Sequence, residues 1–159
     1  MRYGKLAALA LGATAALGLA ACGSTHGKTD TITLTEPGGN VGTFGPIGRP
    51  TQSGIPTGSG FAFATPLVGS NHKTQGTLRA MCIATAPSRG NGLNGTCTGT
   101  ATVPGGSLAL NVGGNVQGTI TGAIVAGTGE YAGGTGTFTS SQTGGDNGPM
   151  TDVYKVTLP

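Results

Sequence analysis

The sequence predicts an all-β domain of about eight short antiparallel strands, either closed into a barrel or stacked as a sandwich. Three observations carry this. Apolar residues alternate with Thr and other polar residues at a period of two in successive short runs. Gly, Pro and Asn separate those runs at short intervals. Beyond the N-terminal segment, no stretch joins helix-forming residues to a period near 3.6. Glycine accounts for 33 of the 159 residues and charged residues for only 8%. So much Gly can signal disorder. Sparse charge and clear strand patterns argue instead for a packed domain.

Residues 1–21 read as a targeting segment. Arg2 and Lys5 make a short basic start, Leu6 to Leu19 is an uninterrupted run of Ala, Leu, Gly and Thr, and Ala20-Ala21-Cys22 follows. That order is the layout of a secretory signal, and the fourteen residues of the run are too few to cross a bilayer comfortably. Leu19-Ala20-Ala21-Cys22 resembles the lipobox of bacterial lipoproteins. The resemblance implies a diacylglyceryl group on the Cys22 thiol, cleavage before Cys22, and a domain anchored by acyl chains on the extracytoplasmic face of the cell membrane. The plainer alternative is an ordinary signal peptide with a chance cysteine. Cleavage leaves 138 residues, enough for one domain with a proper core. It also removes two of eight basic side chains while all five acids stay, so the formal charge falls from +3 to +1. No basic patch is left to argue for nucleic acid.

Residues 22–30 read as a polar tether, with His26 and Lys28 facing solvent. Gly27-Lys28-Thr29 fails as a phosphate loop, because position 22 is Cys where the motif needs Gly and no strand precedes it. The domain then spans residues 31–159. Thr31 to Glu36 alternates, with Ile32 and Leu34 on one face. From Pro37 to Gly60 the chain is rich in Gly and Pro, which predicts one long loop able to fold over a barrel mouth. Phe61 to Val68 is the second strand, with Phe61 and Phe63 on one face. In Gln75 to Ala86, Thr77, Arg79, Met81 and Ile83 face one way, and Leu78, Ala80, Cys82 and Ala84 the other. Gly95 to Val103 and Ser107 to Val112 flank a hairpin turn at Pro104-Gly105-Gly106. Gly113-Gly114 turns the chain again, and Gln117 to Val125 follows. Thr137 to Ser140 and Met150 to Leu158 complete the set, the last with Tyr154, Val156 and Leu158 on one face.

The most distinctive segment runs from Ala126 to Thr139, Ala-Gly-Thr-Gly-Glu-Tyr-Ala-Gly-Gly-Thr-Gly-Thr-Phe-Thr. Its glycines permit a compact turn between two strands. Tyr131, the only large side chain of the turn, is placed to anchor it with its ring while its hydroxyl finds a partner. Gly127-x-Gly129-x-x-Ala132 imitates a dinucleotide-binding fingerprint, but no helix follows, so no nucleotide cofactor is expected. Gly127, Thr128, Gly129, Tyr131, Gly133 and Gly136 are similar to the Gly-Gly-Thr-Gly-x-Tyr-x-Gly-Ala-x-Gly signature of the allene oxide cyclase and dirigent barrel family, with Ala126 for its first Gly and Gly134 for its Ala. The likeness extends more loosely over residues 31–158 and implies a closed, mostly up-and-down barrel, with a homotrimer as the assembly known from that family. One fold hosts many activities, so the resemblance does not choose a reaction.

With Cys22 assigned to lipid, Cys82 and Cys97 remain, on strands that flank one loop near Arg89 and Gly90. A hairpin centred there sets them directly opposite, within disulfide range, and export brings oxidising conditions. A disulfide is therefore expected over two free buried thiols. No Cys or His partner sits at zinc spacing, so no metal is expected.

No Gly-x-Ser-x-Gly elbow and no carboxylate pair on one strand is present. The resemblance implies a first-strand carboxylate acting on a fatty-acid epoxide in the cyclases, and cavity acids guiding radical or quinone-methide coupling in dirigent proteins. Glu36 is the nearest counterpart, although general burial statistics favour an exposed acid at a strand end. Arg79 could bind a ligand carboxylate if it points inward, but the same statistics favour solvent. Asp152 and Tyr154 could border a barrel mouth. Two classes of function follow. One is a non-enzymatic, membrane-anchored barrel that binds a small apolar ligand or serves structurally in the envelope. The other is an isomerase, cyclase or coupling-directing protein acting on a lipid-like or phenolic substrate. A shortage of cavity acids and bases favours the first, whereas an inward Glu36 or Arg79 in a roomy apolar cavity would favour the second.

Overall fold

The computed structural model describes residues 27–38, 43–48, 55–87, 93–116, 119–144 and 148–159. The signal segment, Cys22, His26 and the Arg89–Gly90 loop centre lie outside the described residues. Nine strands follow one another and no helix occurs among the described residues: β1 (Thr29–Glu36), β2 (Thr43–Ile47), β3 (Gly60–Val68), β4 (Thr74–Ala84), β5 (Leu93–Val103), β6 (Gly106–Val116), β7 (Ile120–Gly129), β8 (Thr135–Gln142) and β9 (Met150–Thr157). Every pairing is antiparallel, in the order β1-β9-β8-β7-β6-β5-β4-β3-β2, and a β1–β3 pairing closes the ring.

β1 and β2 lie along the same edge of β3. Thr35 of β1 sits opposite Val68, and Thr43 to Ile47 of β2 run opposite Ala64 to Gly60. They are two halves of one interrupted stave, so the closed barrel has eight staves. Closure satisfies the strand edges that a Thr-rich open sheet would leave exposed.

Four local expectations are corrected. Part of the Pro37–Gly60 stretch is the strand β2, which accommodates Pro46 opposite Phe61 because β2 pairs with β3 alone and needs no amide donor on its other side. Gly113 and Gly114 do not turn the chain; they continue β6 opposite Thr96 and Gly95. β1 begins at Thr29, inside the stretch read as a tether, where Lys28 pairs with Asp30 at 2.9 Å. β4 stops at Ala84 rather than Ala86.

Period-two alternation divides the barrel into a polar outside and an apolar inside. Leu34, Leu78, Cys82, Ala101, Leu108, Leu110, Ile124, Phe138, Tyr154 and Val156 are all buried. The end at which β9 finishes is filled by side chains that include Val103, Leu108 and Val156. There the glycine-rich turn folds back: the Glu130 amide donates to the Gly105 carbonyl at 2.9 Å, and the buried Tyr131 donates its hydroxyl to the Pro104 carbonyl at 2.7 Å. Gly129 and Gly133 hold φ of 65° and 75°, in the left-handed region that glycine occupies without strain. Cys82 and Cys97 are register partners in β4 and β5 and form the expected disulfide, with Cα atoms 4.0 Å apart.

Candidate functional site

At the opposite end, where β1 finishes and β9 begins, the barrel is not filled. A cavity of about 520 Å³ opens between the strands. Phe61, Phe63, Leu110, Val112, Ile120 and Phe138 give it an apolar wall, and the Cys82–Cys97 disulfide forms part of that wall. Cavities of this size and composition hold small molecules. Its polar groups are few, and Glu36, Ser140 and Gln142 come from β1 and β8 on either side of β9.

Alternation explains how Glu36 enters the cavity. Leu34 faces the interior opposite Asp152, and two residues later Glu36 faces the same way opposite Met150. The exposed reading of Glu36 is therefore corrected: the strand continues through residue 36, and the acid lies on its inner face. Asp152 is fully buried one row deeper, between Leu34 and Ser140 in the sheet register. Tyr154, also fully buried, donates its hydroxyl to Asp152 Oδ2 at 2.9 Å, and its ring stands 5.2 Å from that of Phe138. Neither residue borders a mouth; both support the cavity floor from behind its lining.

Glu36 and Asp152 lie near enough for each carboxyl to influence the other. Burial, with the Asp152 charge second, pushes Glu36 from the ordinary 4.5 up to about 8. Burial raises Asp152 as well, against the pull of Ser140, Tyr154 and Glu36. Tyr154 is raised above its ordinary value by burial and by the Asp152 charge, so it stays a donor. Ser140 lies close enough to favour the Asp152 carboxylate, but the two do not complete a hydrogen bond: Ser140 Oγ and Asp152 Oδ1 are both buried without a partner. We therefore treat the Ser140 influence as electrostatic. Two buried unpaired oxygens are exceptions to the rule that buried polar groups are hydrogen-bonded, and both lie close to the cavity.

Arg79 is exposed on the outer surface of β4, beside Ala62 and Met81, on the far side of the wall from Glu36. It is not a cavity residue, which removes it as an internal carboxylate partner. Among the described residues, no group of three or more His, Cys, Asp or Glu side chains could hold a metal ion. One of the chain's five acids, Glu36, lines the cavity and a second, Asp152, is buried behind it, which answers the shortage of cavity acids that favoured a non-enzymatic barrel. Asp152 is the functional candidate that sequence reasoning misplaced. Its signal was the alternation Met150, Asp152, Tyr154, Val156, which sets the acid on the same face as three apolar side chains.

No protein-family model matches the chain, and no curated protein matches it. Solved structures do. A pyocyanin demethylase superposes with a TM-score of 0.63 at 21% identity, covering 80% of this chain and all of that one. A pterocarpan synthase dirigent protein gives 0.56 at 17% identity, covering 83% and 97%. A heme-binding cyclase that catalyses a [4 + 2] cycloaddition gives 0.51 at 15%, covering 79% and 63%. At these identities the likeness is one of fold: the chain has the closed antiparallel β-barrel that these proteins share.

Proposed function

We propose that the barrel binds one small, largely apolar molecule in its cavity and that Glu36, backed by Asp152 and Tyr154, moves a proton on it, as an isomerase, cyclase or coupling-directing protein would. The observation that carries this reading is the partly buried Glu36 in the wall of a largely apolar cavity, with the fully buried Asp152 behind it. Strongly perturbed carboxyls in a cleft are suited to acid–base chemistry near neutral pH. The similar barrels of a demethylase, of dirigent proteins and of a cyclase, all named for chemistry on small organic molecules, support it further. Glu36 holds its proton up to about pH 8, so it starts as an acid at neutral pH and serves as a base above that value. The lipobox-like residues Leu19 to Cys22 support a barrel held by lipid on the outer face of the cell membrane.

A neutral aromatic probe tests the chemistry. 5-Nitrobenzisoxazole opens to a cyanophenolate when a base removes its ring proton, with the N–O bond breaking as the C–H electrons form the nitrile. At pH 9, where Glu36 has given up its proton, the full chain should accelerate this opening, and Glu36→Gln should reduce the acceleration by about a hundredfold or more, while Arg79→Gln leaves it unchanged. A rate equal in wild type and Glu36→Gln would remove the acid–base role. For the anchor, Cys22→Ser should shift the protein from the membrane to the soluble fraction, and no shift would remove it.

A further inference from the structure

We propose that the cavity selects its ligand by charge, accepting an uncharged or positively charged molecule that offers a hydrogen-bond donor to Glu36 and rejecting anions. The inference rests on the cavity being the ligand site and says which class of molecule that site takes. Three observations converge on it.

Glu36 is the one acid that lines the cavity, among the otherwise uncharged polar groups of Thr98, Ser140 and Gln142. Ser140 Oγ is buried without a partner beside the cavity, and Asp152 Oδ1 is equally unpartnered behind it. Glu36 lines the cavity with Asp152 behind it, so its carboxyl can accept a donor from the cavity side. A hydroxyl or N–H on the ligand can donate to the Glu36 carboxyl.

The second observation is the lack of compensating positive charge. Among the described lining residues there is no Lys, Arg or His. Arg79, the nearest candidate by sequence, stands on the outer face of β4, and Lys28, Lys73 and Lys155 are exposed. The groups that face the pair are Tyr154 from β9 and Ser140 from β8, both uncharged.

The third is the setting. Both carboxyls are raised by burial, so the pair passes through a state with one proton and one negative charge. Tyr154 donates into Asp152 and so stabilises that charge where it is. An anionic ligand would bring a like charge into apolar surroundings where screening is weak. A neutral donor meets no such penalty.

The test uses three naphthalenes of nearly equal shape: 2-naphthol, 2-methoxynaphthalene and 2-naphthoate. Binding is measured at pH 7 by equilibrium dialysis of the full chain in lipid nanodiscs, with empty nanodiscs as the blank. 2-Naphthol should bind at least about tenfold more tightly than 2-naphthoate, a difference of about 1.4 kcal/mol, and severalfold more tightly than the methoxy compound. The double variant Glu36→Gln/Asp152→Asn should bring naphthol and naphthoate to within about threefold of each other; should it not fold, the wild-type ratio decides alone. Naphthoate binding as tightly as naphthol overturns charge selection and leaves the cavity reading standing. Binding of none of the three overturns both.

Discussion

Tyr154 and Asp152 sit two residues apart on the inner face of β9, and the tyrosine hydroxyl donates to Asp152 Oδ2 at 2.9 Å with both side chains fully buried. This bond keeps a carboxyl inside an apolar barrel. Tyr154→Phe keeps the ring against Phe138 and removes only the donor. Loss of a hydrogen bond to a buried charged group costs about 1–3 kcal/mol. The urea midpoint should fall accordingly with an unchanged slope. A variant as stable as wild type would mean that Asp152 takes no support from Tyr154.

Stability should fall as pH rises from about 4.5 to about 8. The unfolded chain releases the Glu36 proton near the ordinary 4.5, and the folded chain holds it up to about 8. Between those values the folded state binds more protons than the unfolded state, so raising the pH favours unfolding. The steepest slope for one proton is about 1.4 kcal/mol per pH unit. Above the folded value the effect levels off. Asp152, raised in the same direction, adds with the same sign. Urea titrations at intervals from pH 5 to pH 9 measure this, and Glu36→Gln should flatten the profile. A wild-type profile flat over that range would contradict the buried pair.

The Cys82–Cys97 bond closes a loop of sequence separation 15. Cross-links of that span stabilise by about 3 kcal/mol through the unfolded chain. Reduction, or the double substitution to Ala, should lower stability by about that amount in denaturant titrations. Because both sulfurs stand in the cavity wall, the double Ala variant should also weaken naphthol binding. An unchanged naphthol affinity would place the bound molecule away from β4 and β5.

Strand content was readable in the sequence because apolar alternation states both the element and its inward face. Ile32–Leu34, Leu78–Cys82 and Leu108–Val112 all face as their pattern requires. What the pattern hid was β2, whose residues Thr-Phe-Gly-Pro-Ile carry a proline that reads as a breaker unless the strand is known to pair on one side only. The site was hidden for a related reason. Glu36 and Asp152 stand 116 positions apart and meet only because β1 and β9 pair, with Glu36 opposite Met150 and Leu34 opposite Asp152. Composition suggests that an acid faces water. Alternation places these two inside, and the alternation is the better guide.

Glycine makes the last prediction, since two of the chain's many glycines should respond in opposite ways. A Cβ added at Gly136 would collide with the carbonyl of Lys155 in the adjacent strand β9. Backbone cannot yield there without disturbing the β8–β9 ladder, so Gly136→Ala should destabilise by at least the 1–3 kcal/mol or so typical of overpacking. A Cβ at Gly113 meets nothing within 4 Å, and the residue is exposed in β6 without a left-handed φ. Alanine there costs no contact and restricts the unfolded chain, so Gly113→Ala should stabilise by about 0.4–1 kcal/mol. Thermal and urea midpoints of the two variants against wild type measure the pair. If both variants shifted the same way, close backbone approach in the signature segment would not be what requires glycine at position 136.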